Sequence, residues 1–125
     1  MDYATFTRTT AERAGMPEET AERIEHATLR TLADRISGGA AEDLAAQLPA
    51  PLKDDLRPPR EEAEAFGVEE FLRRVAERGE VGPDEARDGA VAVLTTGREA
   101  GTPGEFDDVL SQLPQEYREL VGPMA

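Results

Sequence analysis

One histidine, His26, and seven pairs of neighbouring carboxylates are the side chains of this chain that are best suited to move a proton or hold a cation. The pairs are Glu18-Glu19, Glu42-Asp43, Asp54-Asp55, Glu61-Glu62, Glu69-Glu70, Asp84-Glu85 and Asp107-Asp108. A lone imidazole serves as a general base only beside a partner that orients it and a group that reacts. The sequence identifies neither, so His26 reads as a partly exposed helix residue. Neighbours on a helix point about 100° apart, so the acidic pairs do not by themselves converge into a cage. A helical di-metal site would take Glu-x-x-His pairs facing a bundle interior. The nearest spelling places Glu22 four residues before His26, and no calcium-loop spacing occurs. With no cysteine, no serine nucleophile elbow and no glycine-rich loop after a strand, thiolate chemistry is excluded and phosphate cradles are not expected. The glycine-rich helix starts are poor anion sites too, because Glu42 and Asp107 stand there. The expectation is therefore no catalytic residue, no metal and no cofactor.

The charge balance narrows the partners. Twenty-seven acidic against fourteen basic side chains give a net charge of -13, which repels phosphates and anionic headgroups over roughly 8 to 10 Å. Nucleic acid and membrane surfaces are not expected partners. Thirteen of the fourteen cations are Arg, with Lys53 the exception, a bias that records a GC-rich genome better than a site. The opening "MDYATFTRTT" lacks a basic n-region and an apolar h-region, and no apolar run reaches the length of a membrane span. A cytoplasmic protein is the expectation, and the acidic excess is also compatible with a stress or high-salt setting.

These side chains must be carried by elements, and the elements are written twice. Laying residues 6–56 over 71–121 without a gap matches Phe6 with Phe71, Arg8 with Arg73, and Ala11-Glu12-Arg13 with Ala76-Glu77-Arg78. Ala21, Ala27, Leu29 and Thr31 fall on Ala86, Ala92, Leu94 and Thr96, Gly39 and Asp43 on Gly104 and Asp108, and Gln47-Leu48-Pro49 on Gln112-Leu113-Pro114. A gap-free match of this length points to internal duplication. Each copy reads as four helices. The first helices cover about 2–14 and 68–79, and the second cover about 17–36 and 83–100, with Pro17 and Pro83 at first helical positions before acids that suit the helix dipole. Ser37-Gly38-Gly39 and Gly101-Thr102-Pro103-Gly104 break the chain before the third helices. Thr102 with Glu105 would form a capping box, and Ser37 half of one.

Gln-Leu-Pro is then a corner. Proline disfavours helical backbone in its predecessor, so Leu48 and Leu113 end the third helices and plug the core while Pro49 and Pro114 start the fourth. The amides of Gln47 and Gln112 would reach carbonyls left open there. Residues 57–66, with Pro58-Pro59, read as a linker between repeat one (2–56) and repeat two (67–121). Since neither half holds enough aliphatic residues for a large core of its own, the expected fold is all-α: one compact helical bundle domain over 1–125, its two pseudo-repeats packed about a pseudo-twofold axis.

The stretches "MDYATFTRTTAERAGM", "LADRISGGAAEDLAAQLP" and "FLRRVAERGEV" resemble the small bacterial and archaeal proteins of the domain of unknown function 2267 family, over residues 2 to about 121. The second half departs from the family pattern at Gly97, Thr102 and Pro103. The resemblance implies an all-helical duplicated fold and brings no catalytic or binding residue with it. Function is then read from the residues. The leading expectation is a non-enzymatic protein-interaction module with a protein partner or a second copy of itself. Its seam would be flanked by Tyr3, Phe66 and Tyr117, with Tyr117 beside Arg118 the exposed aromatic; the bland alternative is that these rings finish the core. A small-molecule or metal-responsive helical sensor linked to stress is one alternative function, and an acidic mimic of nucleic acid another.

Overall fold

The computed structural model describes residues 1–57, 61–102 and 104–121, and all regular structure among them is helical. The elements run α1 (Tyr3–Ala14), α2 (Glu18–Arg35), α3 (Gly38–Ala45), α4 (Ala50–Lys53) with a 3-10 turn (Asp54–Leu56), α5 (Val68–Gly79), α6 (Pro83–Ala100), α7 (Glu105–Ser111) and α8 (Gln115–Val121). Pro58, Pro59 and Pro103, on which the linker and a helix break were read, lie outside the described residues.

Local chemistry explains most of the boundaries. Asp2 caps α1 by accepting from the Thr5 amide at 2.8 Å, and α1 stops at Gly15 in the left-handed region at φ 66°. α5 ends the same way at Glu80, φ 55°, a conformation that a side chain resists. Pro83 does occupy the first position of α6, whereas Pro17 is the cap residue just outside α2. Ser37 caps α3 through the Ala40 amide. The acid missing from that device comes from the expected linker: Glu61 accepts from the Gly39 amide at 3.1 Å, the Gly38 amide donates to the Glu61 carbonyl, and the Glu64 amide donates to the Asp34 carbonyl. The segment after residue 60 is thus stitched to the α2–α3 corner. Thr102 does not cap α7. Gly104 is the cap residue, and Thr102 lends only its carbonyl to the Glu105 amide.

Both corners place leucine in the core, with Leu48 and Leu113 buried. The glutamines do not serve them as expected. Gln47 Oε1 accepts from the Thr102 amide, 2.6 Å away in the other half, and at the second corner it is Arg118 that donates to the open carbonyls of Ser111 and Leu113. The first half's fourth helix shrinks to the single turn α4 plus the 3-10 turn, while α8 keeps seven residues.

The core draws on both halves: Phe6, Ile24, Leu29, Leu44 and Leu52 share one cluster with Phe71, Val75, Leu94, Phe106 and Leu110. Burying each of these large side chains contributes roughly 1.5 to 3 kcal/mol. α1 lies against α6 as well as α2, and α5 against α2 as well as α6. Two clasps tie these pairs. Arg13 donates to Thr96 and pairs with Glu99, and Arg78 donates to Thr31 and pairs with Asp34. α2 and α6 cross where Gly89 offers no side chain, since a Cβ there would stand 2.5 Å from Ile24 Cγ2. Gly97 likewise makes room for the Phe106 ring. Sixty-five residues earlier, Leu32 and Ala41 divide the bulk the other way round.

Tyr117, expected as the exposed aromatic, is 1 % exposed. Its ring meets Phe71 edge to face at 5.6 Å, and its hydroxyl donates to the Phe66 carbonyl at 2.7 Å. A tyrosine whose tip finds a partner can be buried where its counterpart is Leu52. No helix among the described residues is long and apolar enough to cross a membrane.

Candidate functional site

Three elements bring ionisable side chains together at one end of the first half. Glu22, Glu25 and His26 lie three and four residues apart on α2, hence on one face. α1 presents Tyr3 and Thr7 to that face at the same helical spacing, and the 3-10 turn brings Asp55 back against it. Tyr3 donates its hydroxyl to Glu22 Oε2 at 3.3 Å and stands 3.4 Å from His26 Nε2. On the other side of the ring, His26 Nδ1 meets Asp55 Oδ2 in a short contact, and Arg30 Nε donates to Asp55 Oδ1 at 3.0 Å. Asp55 is almost wholly buried, and the imidazole is 35 % exposed. Glu25 is fully buried, with Thr7 Oγ1 at 2.9 and 3.0 Å from its two oxygens.

The surroundings set the proton affinities. Burial pushes the Glu25 carboxyl up to about 7, against the opposing pull of the Thr7 hydroxyl and of His26. The hydrogen bond to Asp55 raises His26 above its ordinary value, and burial only partly offsets it. Burial, then the negative charges of Glu25 and Glu22, push Tyr3 up to about 12, so its phenol stays protonated and is no nucleophile. The arrangement can take up and release protons near neutrality. An open cleft of about 330 Å³ adjoins it, sharing Asp55 and Arg30 and lined further by Ala33, Asp34, Asp54, Arg57 and Arg78. Among the described residues no group of three or more acidic or histidine side chains is placed to hold a metal ion.

The residues singled out from sequence are dispersed. Tyr3 belongs to this cluster, at the first turns of α2. Phe66 lies at the other end of α2, with its carbonyl taking a bond from Arg35 Nε and its ring under the Arg74 guanidinium at 4.1 Å. Tyr117 is core beside it, and Arg118 serves the second corner. Reading His26 as a residue without a positioned partner is corrected by Asp55 and Tyr3. A signal for the cluster was present in the aligned halves: Tyr3, Thr7, Glu25, His26 and Asp55 correspond to Val68, Leu72, Ala90, Val91 and Leu120. Five polar side chains in one half face five apolar ones in the other.

A family model described as "Uncharacterized conserved protein (DUF2267)" matches residues 3–120. The comparison with curated proteins returned no match.

Proposed function

The chain belongs to the DUF2267 family of uncharacterised conserved proteins, and on that premise we propose that it is a non-enzymatic, acidic helical module that works by contact with another protein. The observation that carries the reading is the surface. Among the described residues Met1 is the one large apolar side chain that is exposed, while the chain holds 27 carboxylates against 14 cations. Such a surface is recognised by charge rather than by insertion of a ring, so the partner fitting it is a protein with a basic face. A cytoplasmic setting goes with this reading.

The architecture we propose for the module is one domain made by duplication about a pseudo-twofold axis. α5 and α6 begin and end sixty-five residues after α1 and α2. The Arg13–Thr96–Glu99 clasp recurs as Arg78–Thr31–Asp34 with every member at the equivalent position. Ile24 meets Gly89, its own counterpart, which is the kind of contact a twofold axis passes through.

Capture from native lysate on the immobilised chain, with a rising salt elution and mass spectrometry, tests the interaction. The expected result is reproducible retention of one basic protein at low ionic strength and its release as salt screens the contact. Retention of nothing, alongside a rise in melting temperature with a small molecule or a metal ion, would overturn it in favour of a ligand-responsive sensor. The Tyr3–Glu25–His26–Asp55 cluster is the observation favouring that second reading. If the retained protein is displaced by DNA or RNA, the module is an acidic mimic of nucleic acid.

A further inference from the structure

We infer that the seam between α1 and α2 is a proton-operated latch: a proton on the buried Glu25 carboxyl holds the Tyr3–Thr7 end of α1 against α2, and loss of that proton frees it. The geometry rests on a count of hydrogens. Both Glu25 oxygens face the same hydroxyl, Thr7 Oγ1, and a hydroxyl has one hydrogen to give. The protonated acid closes a complete pair with Thr7, donating with one oxygen while the other accepts. The carboxylate instead leaves an oxygen with no donor among the described residues, inside a site closed to water, which is a strongly disfavoured arrangement.

The charged groups around it relieve this only in part, since the pull of His26 is opposed by the negative charges of Glu22 and Asp55. From α2 come Glu22, of like sign, and His26; from the 3-10 turn comes Asp55, also of like sign, which takes up both His26 Nδ1 and Arg30; from α1 comes Tyr3, which donates to Glu22. α6 approaches α2 here with Gly89. The arginines of α5 that reach α2 through ion pairs, Arg74 and Arg78, end on Asp34, nine residues and about 13 Å further along the helix. Glu42, Asp43 and Lys53 of α3 and α4 are exposed. Burial accordingly holds the Glu25 proton up to about pH 7. The hinge is supplied at the opposite end of α1, where Arg13 clasps α6 through Thr96 and Glu99. The corresponding seam of the second half has Leu72 and Ala90 in place of Thr7 and Glu25 and has nothing there to titrate.

Amide hydrogen exchange on the purified chain at pH 6 and pH 8, corrected for intrinsic rates, reads the latch whether or not a partner exists. The wild type should lose about tenfold protection at Phe6 to Thr10 between these pH values. The aligned amides Phe71 to Val75 should not change, and Glu25→Gln, permanently neutral, should remove the loss. Should that variant fail to fold, the pair Thr7→Leu with Glu25→Ala, which copies the second half, gives the same test, and the wild-type carbon-13 titration of the Glu25 carboxyl needs no variant. Protection of α1 that is constant with pH, or lost equally in either variant, or a Glu25 midpoint in the ordinary carboxylate range, would overturn the proposal.

Discussion

Thr28 is a residue whose surroundings contradict its chemistry. Its hydroxyl is buried without a hydrogen-bond partner among the described residues, and the aligned position in the second half is Val93. Thr28→Val keeps the shape and removes an unsatisfied group, and the two residues have similar helix propensities. It should raise stability by about 1 kcal/mol, measured by urea unfolding; a loss of stability would mean that the hydroxyl is satisfied in solution. The spacing of Ala21, Ile24, Thr28 and Leu32 along α2 puts Thr28 on the inward face, where it is buried, because helical periodicity reports which side faces inward. It could not report whether the hydroxyl finds an acceptor. The same limit applies to His26: the spacing along α2 puts it beside Glu22, but Asp55 lies twenty-nine residues away and reaches it only through the turn after α4.

At the scale of elements, the crossing of α2 and α6 depends on a missing side chain. Gly89→Ala gains helix propensity of about 1 kcal/mol, but its new Cβ would stand 2.5 to 3.2 Å from three carbons of the buried Ile24, and overpacking of this kind costs about 1 to 3 kcal/mol. The net expectation is destabilisation. Gly39→Ala, where nothing lies within 4 Å, should be neutral or stabilising by about 0.5 to 1 kcal/mol. Equal effects of the two substitutions in chemical denaturation would refute this view of the crossing. Helix positions were legible because caps, prolines and periodicity act within a few residues. Partners of the corner residues were not. Gln47 leaves its own corner because the Thr102 amide of the other half comes within its reach, Arg118 takes over the carbonyls expected of Gln112 from the next helix of the same half, and Tyr117 turns inward because the Phe66 carbonyl is there to take its hydroxyl.

For the whole molecule, titration sets a direction of stability with pH. Glu25 binds its proton up to about 7 when folded and about 4.5 when unfolded, so between those values the native state holds the extra proton and stability falls as pH rises. His26, raised by Asp55, acts in the same sense: its contribution is complete below its unfolded value and is lost as pH climbs through the folded one. Glu70, held down to about 2 by Arg73 and Arg74, works oppositely and only in strong acid. The melting temperature should therefore be higher near pH 5.5 than at pH 8, by about 5 to 10 °C for a Glu25 effect of about 2 kcal/mol. A melting temperature that rises over this interval in far-ultraviolet circular dichroism would contradict the assignment. The sequence alone determined the helices, the two leucine corners and the acidic charge balance, since these follow from local stereochemistry and composition. Only the tertiary structure decided that α1 seats against α6 and α5 against α2, and that a histidine, two buried carboxyls and a phenol share one seam. Those neighbours are chosen by the packing of segments far apart in the chain, and the free energy of burying a charge depends on neighbours rather than on spacing.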